Sequence, residues 1–381
     1  MDATRQAQEL LPEPTMVDSD SALAECCATC AKAGRIAFDT EFIRTDTFYP
    51  KLGLIQICDG DSVWLVDPLA IADFAPLVDL LVNEQVVKVF HSCSEDLEVL
   101  QSAFGVLPTP LFDTQIAAAF AGEGFSRGYG RLVEQVLGIA LDKHETRSDW
   151  LQRPLTPSQC LYAAEDVIYL VRVYDHLLAE LSPERLAWIR EDMADLLDSA
   201  ATPADPDSYY LRIKGAWKLP PADQLLLQKL AAWREQLARE QNKPRSRIVP
   251  DNVLIEVARL HPTSRNQLSR LDGFHPQSAR QYGELLLEQL DQCLAEGGDG
   301  SGLELVAPPL EREARLVLAE YRSLIDSKAQ ELGIAPELLA RKKDLETLVR
   351  SRLDGKPVLT GALAQSWRRQ VIGEELLAHG T

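Results

Sequence analysis

The stretch that begins at Thr156 constrains this chain most, because it contains a complete helix-start signal. Thr156 suits the N-cap, Pro157 suits the first helical position, and Gln159 completes a capping box with Thr156. Apolar residues then recur at helical spacing, which predicts a helix packed on a core. Tyr162 and Asp166 are four positions apart and share one face of that helix. Such a pair is usually structural, and a functional interpretation requires other carboxylates that converge on it.

A strand predicted at residues 35–42 supplies two such carboxylates. Its apolar side chains alternate with Asp39 and Glu41, which therefore point to the same side of the strand. Two further apolar runs, at 52–58 and 63–66, are separated by an Asp-Gly-Asp turn signal. The pattern predicts that the first three strands form an antiparallel meander.

Strand and helix patterns alternate in the region that follows. A buried strand is predicted at 86–90, and a helix begins at Ser94 with Asp96 in its first turn. Strands followed by strand–helix alternation indicate an α/β domain on a mixed sheet that ends near residue 181. Beyond residue 184 only helical patterns occur, which predicts small all-α domains after the α/β domain. Residues 1–20 give no pattern and are expected to form a loose N-terminal extension.

Composition excludes several protein classes. The 381 residues contain no apolar run long enough to cross a membrane, and the N-terminus lacks a signal-peptide core, so we expect a cytoplasmic protein with no membrane partner. Seven scattered cysteines do not suggest a disulfide framework. The net charge of −19 argues against tight nonspecific binding of nucleic acid, although residues 229–247 are locally basic.

Four acids follow one another at the ends of predicted elements: Asp39, Glu41, Asp96 and Asp166, the last of them beside Tyr162. Carboxylate oxygens suit hard cations such as Mg²⁺ or Mn²⁺ better than zinc. Four acids are enough to hold two such ions about 4 Å apart, the arrangement that supports in-line attack on a phosphodiester. The set therefore predicts a two-metal site.

Three segments resemble the exonuclease motifs of the ribonuclease D family, which belongs to the DEDD exonucleases with Tyr in the third motif. They read FDTEF at 38–42, HSCSEDLE at 91–98 and YAAED at 162–166. Segments at 54–57, 112–115 and 147–155 also resemble that family. The resemblance covers about residues 35–181 and is specific because the motifs occur in order.

The resemblance implies a ribonuclease H-like fold and a metal-dependent 3′–5′ exoribonuclease that releases nucleoside 5′-monophosphates. It implies that Asp39, Glu41 and Asp166 hold the ion that binds the attacking water. Asp39 would bridge to a second ion, which Asp96 would support, and Tyr162 would orient the water. Mg²⁺ and Mn²⁺ are the expected cofactors.

The helical region resembles HRDC domains, the modules shared with RecQ helicases. Residues 219–294 carry the clearer resemblance, and residues 312–377 resemble a more diverged copy. The implied partner is RNA with a free single-stranded 3′ end, such as a tRNA precursor or another structured RNA; no obligate protein partner is evident. The predicted organisation is an extension at 1–20, an exonuclease domain at 21–200, an HRDC domain at 215–296 and an HRDC-like domain at 310–378.

Four further side chains are candidates for substrate binding. Gln56 lies on a strand beside the one that carries Asp39 and is expected near the terminal nucleotide, or else as a polar residue of a sheet edge. The basic residues Lys143, Arg147 and Arg153 flank a loop before the helix of Asp166. They are expected to contact phosphates, or else to belong to a solvated charged loop.

Two alternative functions remain open at this stage. A DNA 3′–5′ exonuclease would use the same four acids, although no linked polymerase or helicase pattern is visible. A non-catalytic RNA-binding scaffold is the other alternative. The intact acids and Tyr162 argue against it, because a scaffold does not need carboxylates that repel one another.

Overall fold

The computed structural model of this chain describes residues 12–141 and 148–379. Six strands in these residues form one sheet in the order β1-β4-β3-β2-β5-β6. β3 and β4 pair antiparallel, whereas β1 with β4, β2 with β5, and β5 with β6 pair parallel. The predicted mixed sheet is thereby confirmed. The strands are β1 (Thr15–Val17), β2 (Arg35–Ile43), β3 (Lys51–Cys58), β4 (Val63–Val66), β5 (Val87–Phe90) and β6 (Leu111–Asp113).

The turn between β3 and β4 matches its sequence signal. The backbone N–H groups of Asp61 and Ser62 donate to Asp59 Oδ1 at 3.0 and 2.8 Å, so the aspartate closes the turn. The two strands thus form the hairpin that the turn signal predicted.

The N-terminal region differs from the prediction. The loose extension predicted for residues 1–20 is wrong for its described end, because β1 pairs with β4 from Thr15 to Val17. Ser19 then caps the first helix by accepting a hydrogen bond from the Ala22 N–H. A three-residue strand is too short to give an alternating pattern, so its partner β4 decides its conformation.

Helices cover the sheet and continue to the C-terminus. The shorter helical segments include 3₁₀ helices at Pro206–Arg212 and Ala216–Lys218 and a π-helical stretch at Arg369–Gly373. No helix in the described residues is long and apolar enough to cross a membrane. The α-helices of the first 201 residues are α1 (Asp20–Cys30), α2 (Ala75–Leu81), α3 (Ser94–Phe104), α4 (Thr114–Phe120), α5 (Tyr129–Leu137), α6 (Pro157–Ile168), α7 (Leu170–Glu180) and α8 (Pro183–Ala201). Those that follow are α9 (Pro221–Glu240), α10 (Arg245–Ile248), α11 (Asp251–Leu260), α12 (Arg265–Leu268), α13 (Pro276–Glu296), α14 (Arg312–Leu332), α15 (Pro336–Leu339), α16 (Lys342–Leu353), α17 (Gly361–Ala364), α18 (Ser366–Arg368) and α19 (Glu374–Ala378).

The capping box at the start of α6 is formed as the sequence predicted. The Gln159 N–H donates to Thr156 Oγ1 at 3.2 Å, and the Thr156 N–H donates to Gln159 Oε1 at 2.9 Å. The helical pattern that follows is divided, however, because α6 ends at Ile168 and α7 begins at Leu170. The contact that interrupts the helix is described with the site.

The chain divides into two compact units. The first comprises Met1–Ile43, Leu52–Ala201 and Leu310–Thr381, and the second comprises Arg44–Lys51 and Thr202–Pro309. The second unit has its own apolar core, in which Leu227, Leu230 and Val253 are fully buried. The C-terminal helices from α14 onward therefore share a unit with the sheet, although the sequence suggested that they form a separate domain.

Two adjacent residues of the C-terminal region explain this association within the first unit. The Trp367 indole stacks on Trp188 of α8, with ring centroids 4.5 Å apart and an interplanar angle of 12°. Arg368 forms a two-pronged ion pair with Asp192 at 2.6 and 2.7 Å, and both side chains are only 10% exposed. The stacked rings and the buried ion pair join α18 to α8.

We expect Asp192→Ala to destabilise the protein by about 3–5 kcal/mol, because it leaves the buried Arg368 guanidinium without its counter-charge. The matched control is Glu374→Ala, which removes the exposed ion pair with Arg369 and should cost less than about 1 kcal/mol. Urea unfolding followed by tryptophan fluorescence measures both. Equal effects of the two substitutions would contradict the anchoring role of Asp192.

Candidate metal-binding active site

Three carboxylates converge at the centre of the sheet. Asp39 and Glu41 lie on the same side of β2, and Asp166 lies on α6. One carboxylate oxygen from each residue lies within 4.8 Å of those of the other two. The alternation of a strand accounts for the first pair, since residues i and i+2 of a strand share a face. The third acid comes from a residue more than 120 positions later in the sequence.

Asp96 is held beside this group by the neighbour of Asp39. The Thr40 hydroxyl and the Thr40 backbone N–H both donate to Asp96 Oδ1, at 2.5 and 3.1 Å. Asp96 is 7% exposed and lies in the first turn of α3, as the sequence predicted. β2 therefore presents two acids itself and uses the residue between them to fix a third.

These four acids line one cavity of about 250 Å³. Tyr162 also lines it, one helical turn before Asp166, and its ring lies 6.1 Å from that of Trp150. Phe42 and Leu170 contribute apolar wall. No lysine or arginine within the described ranges lines the cavity, so its carboxylates face one another without a protein cation.

The pKa values of the acids reflect this crowding. Burial, reinforced by the neighbouring carboxylates, raises the pKa of Glu41 to about 8. Burial likewise raises the pKa of Asp96 and of Asp166 to about 7, although hydrogen bonds from Thr40 and Tyr162 oppose the increase. Burial and the charges of the other three acids raise the pKa of Asp39 well above its ordinary value.

The residues fit a divalent metal ion. The site offers only oxygen ligands, which match the preference of Mg²⁺ and Mn²⁺. The oxygens of Asp39, Glu41 and Asp166 are close enough together to share one ion, and a bound cation would remove the repulsion that raises their pKa values.

Tyr129 is a residue of this site that sequence reasoning missed. Its hydroxyl donates to the Glu165 carbonyl at 2.9 Å, and the Tyr169 backbone N–H is a further partner of the same hydroxyl. In a continuous helix the groups at positions 165 and 169 would bond to each other. The hydroxyl thus lies within the hydrogen-bond ladder and interrupts the helix directly after Asp166.

His91 supports the segment that carries Tyr129. Its Nδ1 lies 2.9 Å from Thr114 Oγ1, and its Nε2 lies 2.9 Å from the Arg127 carbonyl, to which it donates. Its ring also packs against the Tyr129 ring at 5.6 Å. His91 was left unassigned at the sequence level, where its position after a strand gave the only signal. Its contacts indicate that it anchors residues 127–129.

Two of the predicted substrate-binding residues, Lys143 and Arg147, lie outside the described residues. Gln56 is fully buried on β3 and does not line the acidic cavity. Both polar atoms of its amide lack a hydrogen-bond partner within the described residues. Its contact with a nucleotide remains a prediction.

Arg153 has protein partners. Its guanidinium donates to both carboxylate oxygens of Asp67 at 2.6 Å and to the carbonyls of Gly53 and Trp150 at 2.7 and 2.9 Å. These bonds tie the segment before α6 to β3 and to the residue after β4. They favour an architectural role for Arg153, and its contact with phosphate remains a prediction.

Comparisons with known proteins agree with this site. A family model described as 3′-5′ exonuclease matches residues 14–182, and the HRDC domain model matches residues 223–290. A ribonuclease D from Pseudomonas paraeruginosa is 43% identical over 366 residues, which cover 96% of this chain and 97% of the relative. The chain belongs to the ribonuclease D family.

Solved structures of relatives support the same assignment. The crystal structure of Escherichia coli RNase D, described as an exoribonuclease involved in structured RNA processing, matches with a TM-score of 0.84 at 36% identity, covering 96% of this chain and 98% of the other. The catalytic core of RRP6 from Trypanosoma brucei matches with a TM-score of 0.61 at 25% identity, covering 76% and 81%. This family member is therefore a nuclease with an exonuclease domain and an HRDC region, as the motifs predicted.

The raised pKa values predict how pH affects the stability of the metal-free protein. The four acids have higher pKa values in the folded chain than their ordinary values of 3.8 and 4.5, so folding takes up protons between about pH 4 and pH 8. Their contribution to stability is greatest below pH 4 and is lost as pH rises through 7 and 8. We expect the chelator-treated protein to have a lower Tm at pH 8 than at pH 5.5, and Mg²⁺ to restore it.

The control for this pH effect is the double variant Glu41→Gln/Asp166→Asn, which removes two of the titrating groups. Its Tm should change less between pH 5.5 and pH 8 and should respond less to Mg²⁺. A variant with the full wild-type pH dependence would show that other groups cause it.

We expect Tyr129→Phe to weaken Mn²⁺ binding about tenfold, because groups that orient metal ligands typically contribute on this scale. The substitution keeps the ring and removes only the hydroxyl that fixes the helix next to Asp166. Calorimetric titration with Mn²⁺ measures the affinity directly. Tyr210→Phe is the matched control, since it removes a similar bond from a hydroxyl to the Glu304 carbonyl in the other unit. Equal Mn²⁺ affinities for the two variants would remove the role of Tyr129.

Proposed function

We propose that this protein removes nucleotides one at a time from the 3′ end of RNA by hydrolysis and releases nucleoside 5′-monophosphates. The convergence of the Asp39, Glu41 and Asp166 oxygens within 4.8 Å of one another carries this proposal. Membership of the ribonuclease D family supports RNA as the substrate, and the exonuclease domain supports attack from a chain end.

The acids are proposed to hold two ions of Mg²⁺ or Mn²⁺. Asp39, Glu41 and Asp166 would hold the first, and Asp39 and Asp96 the second. When bound, such ions activate water at neutral pH and stabilise the charge of the leaving 3′-oxygen. The carboxylates release their protons when they bind the ions, so metal affinity should rise with pH through 7 and 8.

Tyr162 is proposed to orient the attacking water. Burial, reinforced by Asp166, Glu41 and Asp39, raises the pKa of its phenol above the ordinary value of 10. The phenol therefore keeps its proton at neutral pH and acts as a hydrogen-bonding group rather than as a base. Its position one turn before Asp166 on α6 keeps the hydroxyl beside the metal ligands.

The natural substrates are proposed to be structured RNAs with a free single-stranded 3′ end, such as tRNA precursors, and the proposed compartment is the cytoplasm. The relative from Escherichia coli is described as acting in structured RNA processing, which supports this class. The proposed domains are the exonuclease domain at 21–200, an HRDC domain at 215–296 and a diverged HRDC-like domain at 310–378. The HRDC model match at 223–290 supports the second of these.

The test is product analysis on RNA that is labelled at its 5′ end. With Mg²⁺ or Mn²⁺ we expect a ladder that shortens from the 3′ end together with free nucleoside 5′-monophosphates, and with a chelator we expect none. Asp39→Asn should reduce the rate at least a thousandfold, because it removes a charged ligand for both ions. Asp61→Asn, at an exposed turn residue between β3 and β4, is the matched control and should retain the wild-type rate.

Each alternative function predicts a different result in the same experiment. A DNA exonuclease would shorten DNA of the same sequence faster than RNA. A non-catalytic scaffold would bind the RNA and leave its length unchanged in both metals. Cleavage of RNA that persists in Asp39→Asn would contradict the metal-site assignment itself.

A further inference from the structure

The basic stretch at residues 229–247 lies in the second unit, and most of its positive charge is neutralised there. Four of its six lysine and arginine side chains form ion pairs with carboxylates: Lys229 with Glu296, Arg234 with Asp251, and Arg239 and Arg245 with Glu235. The remaining two, Lys243 and Arg247, have no carboxylate within ion-pair distance in the part of the chain that the structure describes. The stretch therefore offers two free cations rather than six.

Both free cations line one cavity of about 460 Å³. Lys243 Nζ lies 3.2 Å from the Tyr282 hydroxyl and 5.8 Å from the centre of that ring, which hold the ammonium at the cavity wall. The side chains of Ser246 and His275 also line this space. The cavity thus combines two positive charges with neutral polar groups.

One carboxylate, that of Asp46, also lines the cavity. It belongs to the segment Arg44–Lys51 of the same unit, and Lys51 lies 3.5 Å from it. Its charge is therefore partly balanced by a residue outside the lining. The two free cations leave the cavity with an excess of positive charge.

A phosphate group matches these features. Arginine binds phosphate oxygens through paired N–H donors, and lysine binds them as a compact point charge. The cavity volume lies within the range of sites that hold a nucleotide-sized ligand. In a chain with a net charge of −19, two adjacent cations without protein partners are an exception that an anionic ligand explains.

We propose that this cavity binds a phosphodiester of the RNA substrate, on the 5′ side of the nucleotide that is being removed. The inference rests on the proposed RNA substrate, because the acidic site is expected to take the 3′ end. Lys243 and Arg247 contact the phosphate, and Ser246 and His275 supply neutral polar contacts. This contact makes affinity depend on RNA length without reading the base sequence.

The experiment measures the binding of a 5′-fluorescein-labelled single-stranded RNA of about 20 nucleotides by anisotropy, with a chelator present so that no cleavage occurs. We expect Lys243→Gln/Arg247→Gln to bind about tenfold more weakly than the wild type. The slope of log Kd against log salt concentration should decrease by about 2, or about 1 for each lost phosphate contact.

The matched control is Lys229→Gln/Arg259→Gln. It removes the same charge from the same unit, but at side chains that have carboxylate partners. Its affinity should stay within about twofold of the wild type. Equal losses in the two double variants would overturn the inference, since overall charge and not the cavity would then explain the effect.

Two further measurements separate folding and free-nucleotide binding from the proposed contact. The charge-retaining variant Lys243→Arg/Arg247→Lys should keep most of the affinity, and a loss as large as that of the Gln variant would overturn the inference. Adenosine 5′-monophosphate should displace the RNA only weakly. Tight binding of this mononucleotide to the wild type, with RNA affinity unchanged in the Gln variant, would show a site for free nucleotides instead.

Cleavage of a dinucleotide with Mg²⁺ distinguishes this inference from the proposed function. Both the wild type and the Gln variant should cleave it at the same rate, because it does not extend beyond the acidic site. A wild type that cleaves RNA while the Gln variant binds it normally would contradict only the cavity. A wild type that cleaves no RNA in either metal would contradict the proposed function.

Discussion

The repulsion among Asp39, Glu41, Asp96 and Asp166 is the constraint on which the organisation of the first unit depends. Burial and mutual repulsion both favour the protonated forms, so the folded chain must hold these groups where water alone would separate them. Three contacts do so: β2 fixes the first two acids, Thr40 bonds Asp96, and Tyr129 fixes the helix next to Asp166. Each comes from a residue that is not itself an acid.

The parts of this arrangement that the sequence predicts are those that depend on near neighbours. The capping box of Thr156 and Gln159 involves residues three apart, and the exposure of Asp39 and Glu41 to one side follows from the two-residue repeat of a strand. The Asp-Gly-Asp turn likewise closes on its own backbone. Motif order then allowed the acids to be grouped, because the resemblance to a family supplied the long-range information.

The sequence does not reveal contacts between residues that are far apart in the chain. The Thr40 hydroxyl meets Asp96 across 56 positions, and the Tyr129 hydroxyl meets Glu165 across 36. Neither residue belongs to a local pattern that marks a partner. The apolar faces of the C-terminal helices similarly predict burial without identifying what buries them. Trp367 and its neighbour could cover a domain of their own, but they pack on α8.

The same limitation applies to charge. A net charge of −19 and a basic stretch of six cations give opposite expectations about RNA, and counting cannot resolve them. Ion pairs leave Lys243 and Arg247 as the cations of that stretch without a carboxylate partner among the described residues. Because unpaired cations contribute most to phosphate binding, an acidic protein can bind RNA through few residues. Its surroundings then repel any strand that does not reach those residues, which favours correctly placed substrates over nonspecific ones.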